Sequence, residues 1–200
     1  MLLPTSIASV LALSSLATGT QVHPKRSQQT NVALYAYGVG AGLPIIYADG
    51  LAYFGLSNLD NATTSTVVNF SYDDADTSVP WTIASNTSSV TFNETLTLYI
   101  IPTSGTFAQI GFAANDSLPE GAVNTGFGFY GSAVAYAASE SDYQLSFWAK
   151  ATSTRGVFGL YWKATGTSRP NGAFPVTVKN TAPVFPDFAS EDEDADSSDR

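Results

Sequence analysis

The chain contains no cysteine, and its one histidine, His23, lies close to the start. Without thiols there can be no disulfide and no thiolate nucleophile, so stability has to come from packing. Without histidine beyond position 23, the rest of the chain cannot build Ser-His-Asp or Cys-His nucleophilic sites. It also cannot build zinc, copper or non-haem iron sites that depend on His or Cys. Basic residues are scarce as well: none occurs from Ser27 to Ala149, and five follow between Lys150 and Lys179. A formal charge of −9 without a basic stripe argues against nucleic acid or an anionic membrane as partner. No GxGxxG, Walker A or GxSxG pattern occurs, so nucleotide-binding and α/β-hydrolase chemistry have no support. No cofactor and no catalytic residue is expected.

The ends are distinct from the middle. Residues 1–17 carry an apolar stretch from Ile7 to Leu16, with small residues at Ser15 and Ala17. This reads as a secretory signal peptide, and it is too short to span a bilayer. Residues 18–26 end in Lys25-Arg26 and read as a pro-segment closed by a dibasic processing site. Residues 27–186 form one domain, long enough to bury a core of its own. Residues 187–200 hold seven acids opposed only by Arg200, and are expected to be a disordered, solubilising tail. No apolar tail follows a small-residue site, so no lipid anchor is expected.

Five N-glycosylation sequons crowd residues 61–117: Asn61-Ala62-Thr63, Asn69-Phe70-Ser71, Asn86-Thr87-Ser88, Asn93-Glu94-Thr95 and Asn115-Asp116-Ser117. Behind a signal peptide, that density predicts a surface carrying sugar. Alternation of period two dominates the whole domain. NVALYAYG (31–38) sets Val32, Leu34 and Ala36 against Tyr35 and Tyr37. Two runs flank Asp49-Gly50, a strong hairpin signal. STVVNFSY (65–72) places Val68, Phe70 and Tyr72 opposite Asn69. SVTFNETLTLYII (89–101) places Val90, Phe92, Leu96, Leu98 and Ile100 opposite Asn93, so both mid-strand sequons fall on polar faces. Further runs at short spacing predict an all-β fold without disulfides, an antiparallel β-sandwich or jelly roll of about ten strands.

One hairpin can be aligned residue by residue. With Thr152–Arg155 as a four-residue turn, Ala149 pairs with Phe158, Phe147 with Leu160 and Leu145 with Trp162 on an apolar face. The other face then carries Gln144 opposite Lys163, with Trp148 and Tyr161 as diagonal neighbours. A Trp/Tyr pair ringed by Gln144, Lys150 and Lys163 is a candidate carbohydrate contact, since the C–H face of a sugar stacks on an aromatic ring. Tyr35 and Tyr37 offer the same chemistry, whereas Trp81, after Pro80, reads as core. Carboxylates that could serve a glycosidase are Asp49, Glu94, Asp116, Glu120, Glu140 and Asp142. Asp73, Asp74 and Asp76 could gather Ca²⁺ but lack the glycine and distal glutamate of an EF-hand loop. Each also has a plain reading: Asp49, Glu140 and Asp142 as turn residues, Glu94 and Asp116 as the middle residues of sequons, and Glu120, Asp73, Asp74 and Asp76 in solvated loops.

Two stretches, LYAYGVGAGLPIIYADGLAYFGL and TLYIIPTSGTFAQIGF, resemble the fungal cell-wall protein PhiA family. The resemblance implies a wall-associated role without known catalysis and transfers no functional residue. The expected function is that of a secreted, N-glycosylated, non-catalytic wall or matrix protein, extracellular or wall-bound, in contact with polysaccharide. Two alternatives share the sequence features: an effector or elicitor acting on a host plant protein, and a carboxylate-dependent glycosidase.

Overall fold

The structure, a computed structural model, describes residues 28–139 and 141–184. The signal segment, the pro-segment with Lys25 and Arg26, Glu140 and the acidic tail lie outside the described residues. Sixteen short strands follow one another, all paired antiparallel. They are β1 (Gln28–Ala33), β2 (Tyr35–Tyr37), β3 (Leu43–Ala48), β4 (Leu51–Gly55), β5 (Ser65–Asp73), β6 (Thr82–Ser85), β7 (Thr97–Tyr99) and β8 (Phe107–Gln109). The rest are β9 (Gly111–Ala113), β10 (Phe127–Tyr130), β11 (Ala133–Ser139), β12 (Asp142–Gln144), β13 (Phe147–Ala151), β14 (Val157–Lys163), β15 (Ala173–Pro175) and β16 (Thr177–Lys179). No helix occurs among the described residues.

The architecture is therefore all-β, as the alternation predicts. There are more strands than runs because several runs switch partners midway. In TFAQIGFAA the break falls at Ile110: β8 pairs with β14, while β9 pairs with β4 and β7. Ile110 itself is fully buried and donates its N–H to Leu160 O at 2.9 Å.

Hydrogen-bonded neighbours close on themselves. β3, β5, β6, β7, β9 and β4 form a ring, because β4 also pairs with β3. Closure leaves no free edges within those six strands. The β3–β4 link is the hairpin expected at Asp49-Gly50, with Ala48 opposite Leu51 and both turn residues at positive φ, 46° and 87°. That is the two-residue turn whose twist matches its strands. Asp49 also braces the neighbouring loop, its two carboxylate oxygens accepting the N–H groups of Thr63 and Thr64.

A single hydrophobic core lies inside. It joins Phe54, Phe70, Leu98, Ile100 and Phe112 to Phe127, Val134, Phe147, Leu160 and Trp162. Trp81 is fully buried, as expected for a core residue, and stacks on Tyr72 at 4.7 Å. The indole N–H groups of Trp81 and Trp162 have no acceptor. Trp162 instead meets Tyr136 and Phe147 edge-on, at 85° and 87°. In a chain without disulfides, this aromatic packing does the work of staples.

Candidate functional site

β13 and β14 form the hairpin expected from the sequence, with the apolar face inward: Phe147, Ala149, Leu160 and Trp162 are all buried. The register differs. Phe147 faces Trp162, Ala149 faces Leu160 and Ala151 faces Phe158, two positions away from the four-residue-turn alignment. The turn is longer because Thr152 closes it: its N–H and its hydroxyl both bond to Val157 O, at 3.2 and 2.8 Å. A shift of two preserves the faces but changes the partners. Leu145, expected in the core opposite Trp162, precedes the strand and is 43% exposed. Val157, expected outward, is buried. Gln144 leaves the hairpin altogether. It belongs to β12, pairs with Tyr136 of β11 and donates its side-chain amide to Asp142 at 2.8 Å.

What remains of the candidate contact is tighter than expected. Trp148 stands directly opposite Tyr161. Lys163 Nζ lies 5.7 Å from the centre of the Trp148 ring, within cation–π range. Tyr161 stacks flat on Phe107 of β8, at 4.8 Å and 2°, and leans over Gly159, where a Cβ would come within 2.9 Å of its ring. Burial is the main reason that the Tyr161 hydroxyl titrates above its ordinary value, and Tyr53 adds to the effect. Gln109 lies beside Tyr161 but gives its amide to Ala52 O at 3.0 Å.

The same outward face continues across the neighbouring strands. Trp148 faces Pro175, and outward positions Pro175, Thr177 and Lys179 alternate along β15 and β16. The Val176 N–H bonds to Phe147 O at 3.0 Å, so the run stays in register. Thr177 then faces Tyr37, and Lys179 faces Tyr35. Tyr37 is held in place: its ring lies against Gly42, where a Cβ would sit 2.4 Å away, and its hydroxyl donates to Thr181 O at 2.8 Å. Lys179 Nζ stands 5.2 Å over that ring. Beyond β16, Tyr130 and Tyr143 stand 6.3 Å apart over the alanines of β11 and are 67% and 45% exposed. The result is one belt of outward aromatic side chains carrying Lys150, Lys163 and Lys179. Sequence reasoning reached Trp148, Tyr161, Tyr35 and Tyr37 but not their continuity, nor Phe107, Tyr130 and Tyr143. Only the pairing of distant strands brings these together.

The sequons lie elsewhere in the strand order. Asn61 precedes β5, Asn69 is on β5, Asn86 follows β6, Asn93 lies between β6 and β7, and Asn115 follows β9. β5, β6, β7 and β9 are consecutive neighbours. Asn93 sits in a bend, because the run 89–101 is a strand only at Thr97–Tyr99. Leu96, Leu98 and Ile100 are buried as expected, while Phe92 leaves the strand to pack on Tyr47 at 4.8 Å. Asn69 faces away from Val68 and Phe70, as its place in the strand predicts, yet it is only 7% exposed. Its amide nitrogen donates to Asn31 Oδ1 at 2.7 Å and Asn86 Oδ1 at 3.1 Å. Asn31 reaches it from an irregularity in β1 where φ is 59°. Asn61, Asn86, Asn93 and Asn115 are exposed. Asn86 and Asn115 are oriented by their oxygens, which accept from Asn69 and from buried Asn124.

The carboxylates are spread over turns, loops and strand ends. Asp49 is committed to Thr63 and Thr64, Asp116 accepts from the Ser117 hydroxyl, and Asp142 accepts from Gln144. Glu94 and Glu120 are exposed in loops. Asp73 and Asp76 close local turns through the Ala75 and Ser78 N–H groups. Among the described residues, no group of three or more His, Cys, Asp or Glu could hold a metal ion. One concavity, lined by Ser85, Thr87, Thr91 and Glu94 among others, lies in the segment that carries Asn86 and Asn93 and not on the belt. The chain matches no protein-family model, no curated protein and no solved structure.

Proposed function

We propose that this is a secreted, N-glycosylated, non-catalytic protein of a cell wall or extracellular matrix, and that its aromatic belt lies against polysaccharide. The observation that carries the reading is the division of the strand order. The sequons lie on β5 or in the segments that flank β5, β6, β7 and β9, whereas outward aromatic rings and all three lysines of the domain belong to β2, β8 and β10–β16. Sugars at Asn86, Asn93 and Asn115 would clothe the first set; Asn61 follows Asp60, whose N–H bonds to Thr154 Oγ1 at 3.3 Å, so its sugar would stand at the turn end of the β13–β14 hairpin and leave the rest of the belt bare. Aromatic rings in a row on a rigid sheet present apolar faces at little entropic cost, which suits the C–H faces of a polymer of sugars.

Incubation of the enzymatically deglycosylated protein with insoluble chitin, β-glucan, cellulose and cross-linked polygalacturonate tests the reading, together with fractionation of the producing cells. The expected result is retention on at least one polymer and recovery of the protein from wall extracts. No retention on any polymer, with the protein absent from wall extracts, contradicts it.

A further inference from the structure

We infer that the polymer taken by the belt is anionic, a chain of uronate sugars, with the Trp148–Lys163 and Tyr37–Lys179 pairs as two like subsites. This rests on the polysaccharide reading above and adds the charge of the partner to it.

The belt repeats one constellation. In each pair an aromatic ring faces outward from a strand, and an ammonium group stands over it, at 5.7 Å from Trp148 and 5.2 Å from Tyr37. A neutral sugar stacking on either ring has to displace the ammonium and offers it only uncharged oxygen acceptors, which are weaker than a carboxylate. A uronate replaces it: the pyranose C–H face takes the ring, and the carboxylate at the ring edge takes the displaced ammonium. The surrounding charge favours the same partner. Lys150, Lys163 and Lys179 all face outward here, and no outward position on β2, β13, β14, β15 or β16 carries an acid. The net charge of the chain is negative, but a local cluster of one sign governs what a face attracts.

The two subsites are spaced for an extended polymer. Trp148 and Tyr37 flank the continuous β15–β16 run on opposite sides, paired with Pro175 and Thr177. Two strand spacings of ~4.8 Å and two residues of ~3.3 Å rise put them about 12 Å apart. One chain several sugars long can therefore engage both, so two weak contacts act as one stronger one.

Isothermal titration of the full secreted protein with a galacturonate oligomer, the same oligomer methyl-esterified, a neutral β-glucan oligomer and polyglutamate tests the inference. The galacturonate oligomer is expected to bind, and to bind less tightly as salt rises. Its methyl ester and polyglutamate are expected to bind much more weakly. The double variant K163Q/K179Q, melting at the wild-type temperature, is expected to lose about five- to tenfold in affinity, since each exposed ion pair is modest. Equal binding of the ester, equal binding of polyglutamate, or an unchanged affinity of the double variant would overturn it. Binding of the neutral glucan alone removes the anionic preference and leaves the polysaccharide reading standing. Binding of none of the four, with no retention on insoluble polymers, removes both.

Discussion

Asn69 shows how a residue can satisfy a motif and still be used for something else. Its sequon is intact, but both N–H bonds of its amide are committed, to Asn31 and Asn86, in a place closed to solvent. A glycan must leave through that nitrogen. Glycopeptide mapping of the secreted protein is therefore expected to find Asn69 bare and sugar at Asn86 and Asn115; an occupied Asn69 would contradict the buried amide cluster. Asn69→Ala removes two hydrogen bonds and is expected to cost about 1–2 kcal/mol in urea unfolding. Gly111 makes a second point at this scale. A Cβ there would lie 2.4 Å from the Tyr99 hydroxyl oxygen and 2.7 Å from the Gly50 carbonyl oxygen. Because Tyr99 is buried and Gly50 is backbone, neither yields easily, and Gly111→Ala is expected to lose about 1–3 kcal/mol in the same measurement.

The β13–β14 hairpin carries the clearest test among the elements. A chain free of cysteine is a clean background for paired cysteines. Ala149 and Leu160 face each other across a non-hydrogen-bonded pair, close enough for a disulfide, so A149C/L160C is expected to cross-link under mild oxidation. A149C/F158C, the pair that a four-residue turn would bring together, is expected to stay reduced; the reverse outcome would restore that turn. The two registers explain how much the sequence could reveal. Alternation fixes which face of a strand is buried, and Phe147, Ala149, Leu160 and Trp162 all lie where it predicts. It does not fix a register to better than two residues, and a Thr152 side chain that caps the turn leaves no periodic trace. Strand breaks such as the one at Ile110 are equally silent, because the hydrophobic pattern runs on while the partner changes. The candidate contact was legible as single residues, Trp148, Tyr161 and Lys163. Gln144 was lost from it, and Phe107, Tyr130 and Tyr143 joined only through pairings between segments far apart in the chain.

At the scale of the whole molecule, the described residues hold no cysteine or histidine, and tyrosine shapes the alkaline limit of the fold. Burial raises the hydroxyls of Tyr72, Tyr99 and Tyr161 above the ordinary value of 10.0. For Tyr72, Asp74 pushes the same way and a hydrogen bond with Asn180 opposes it. A folded-state pKa above the unfolded one means that the unfolded chain releases these protons first. Their contribution is complete below pH 10 and is lost as pH rises through the folded-state values. Melting temperature is thus expected to fall above pH 10, together with the rise of tyrosinate absorbance; a flat profile to pH 11 would contradict the burial of these hydroxyls.

The division between sequon-bearing segments and the aromatic belt can be put to a test by running two variants on one polysaccharide column. One variant replaces Trp148 and Tyr37 with alanine; the other replaces Asn61, Asn86, Asn93 and Asn115 with glutamine. The first is expected to elute early and the second to be retained like the wild type. Retention of the first, with loss of the second, would contradict the division.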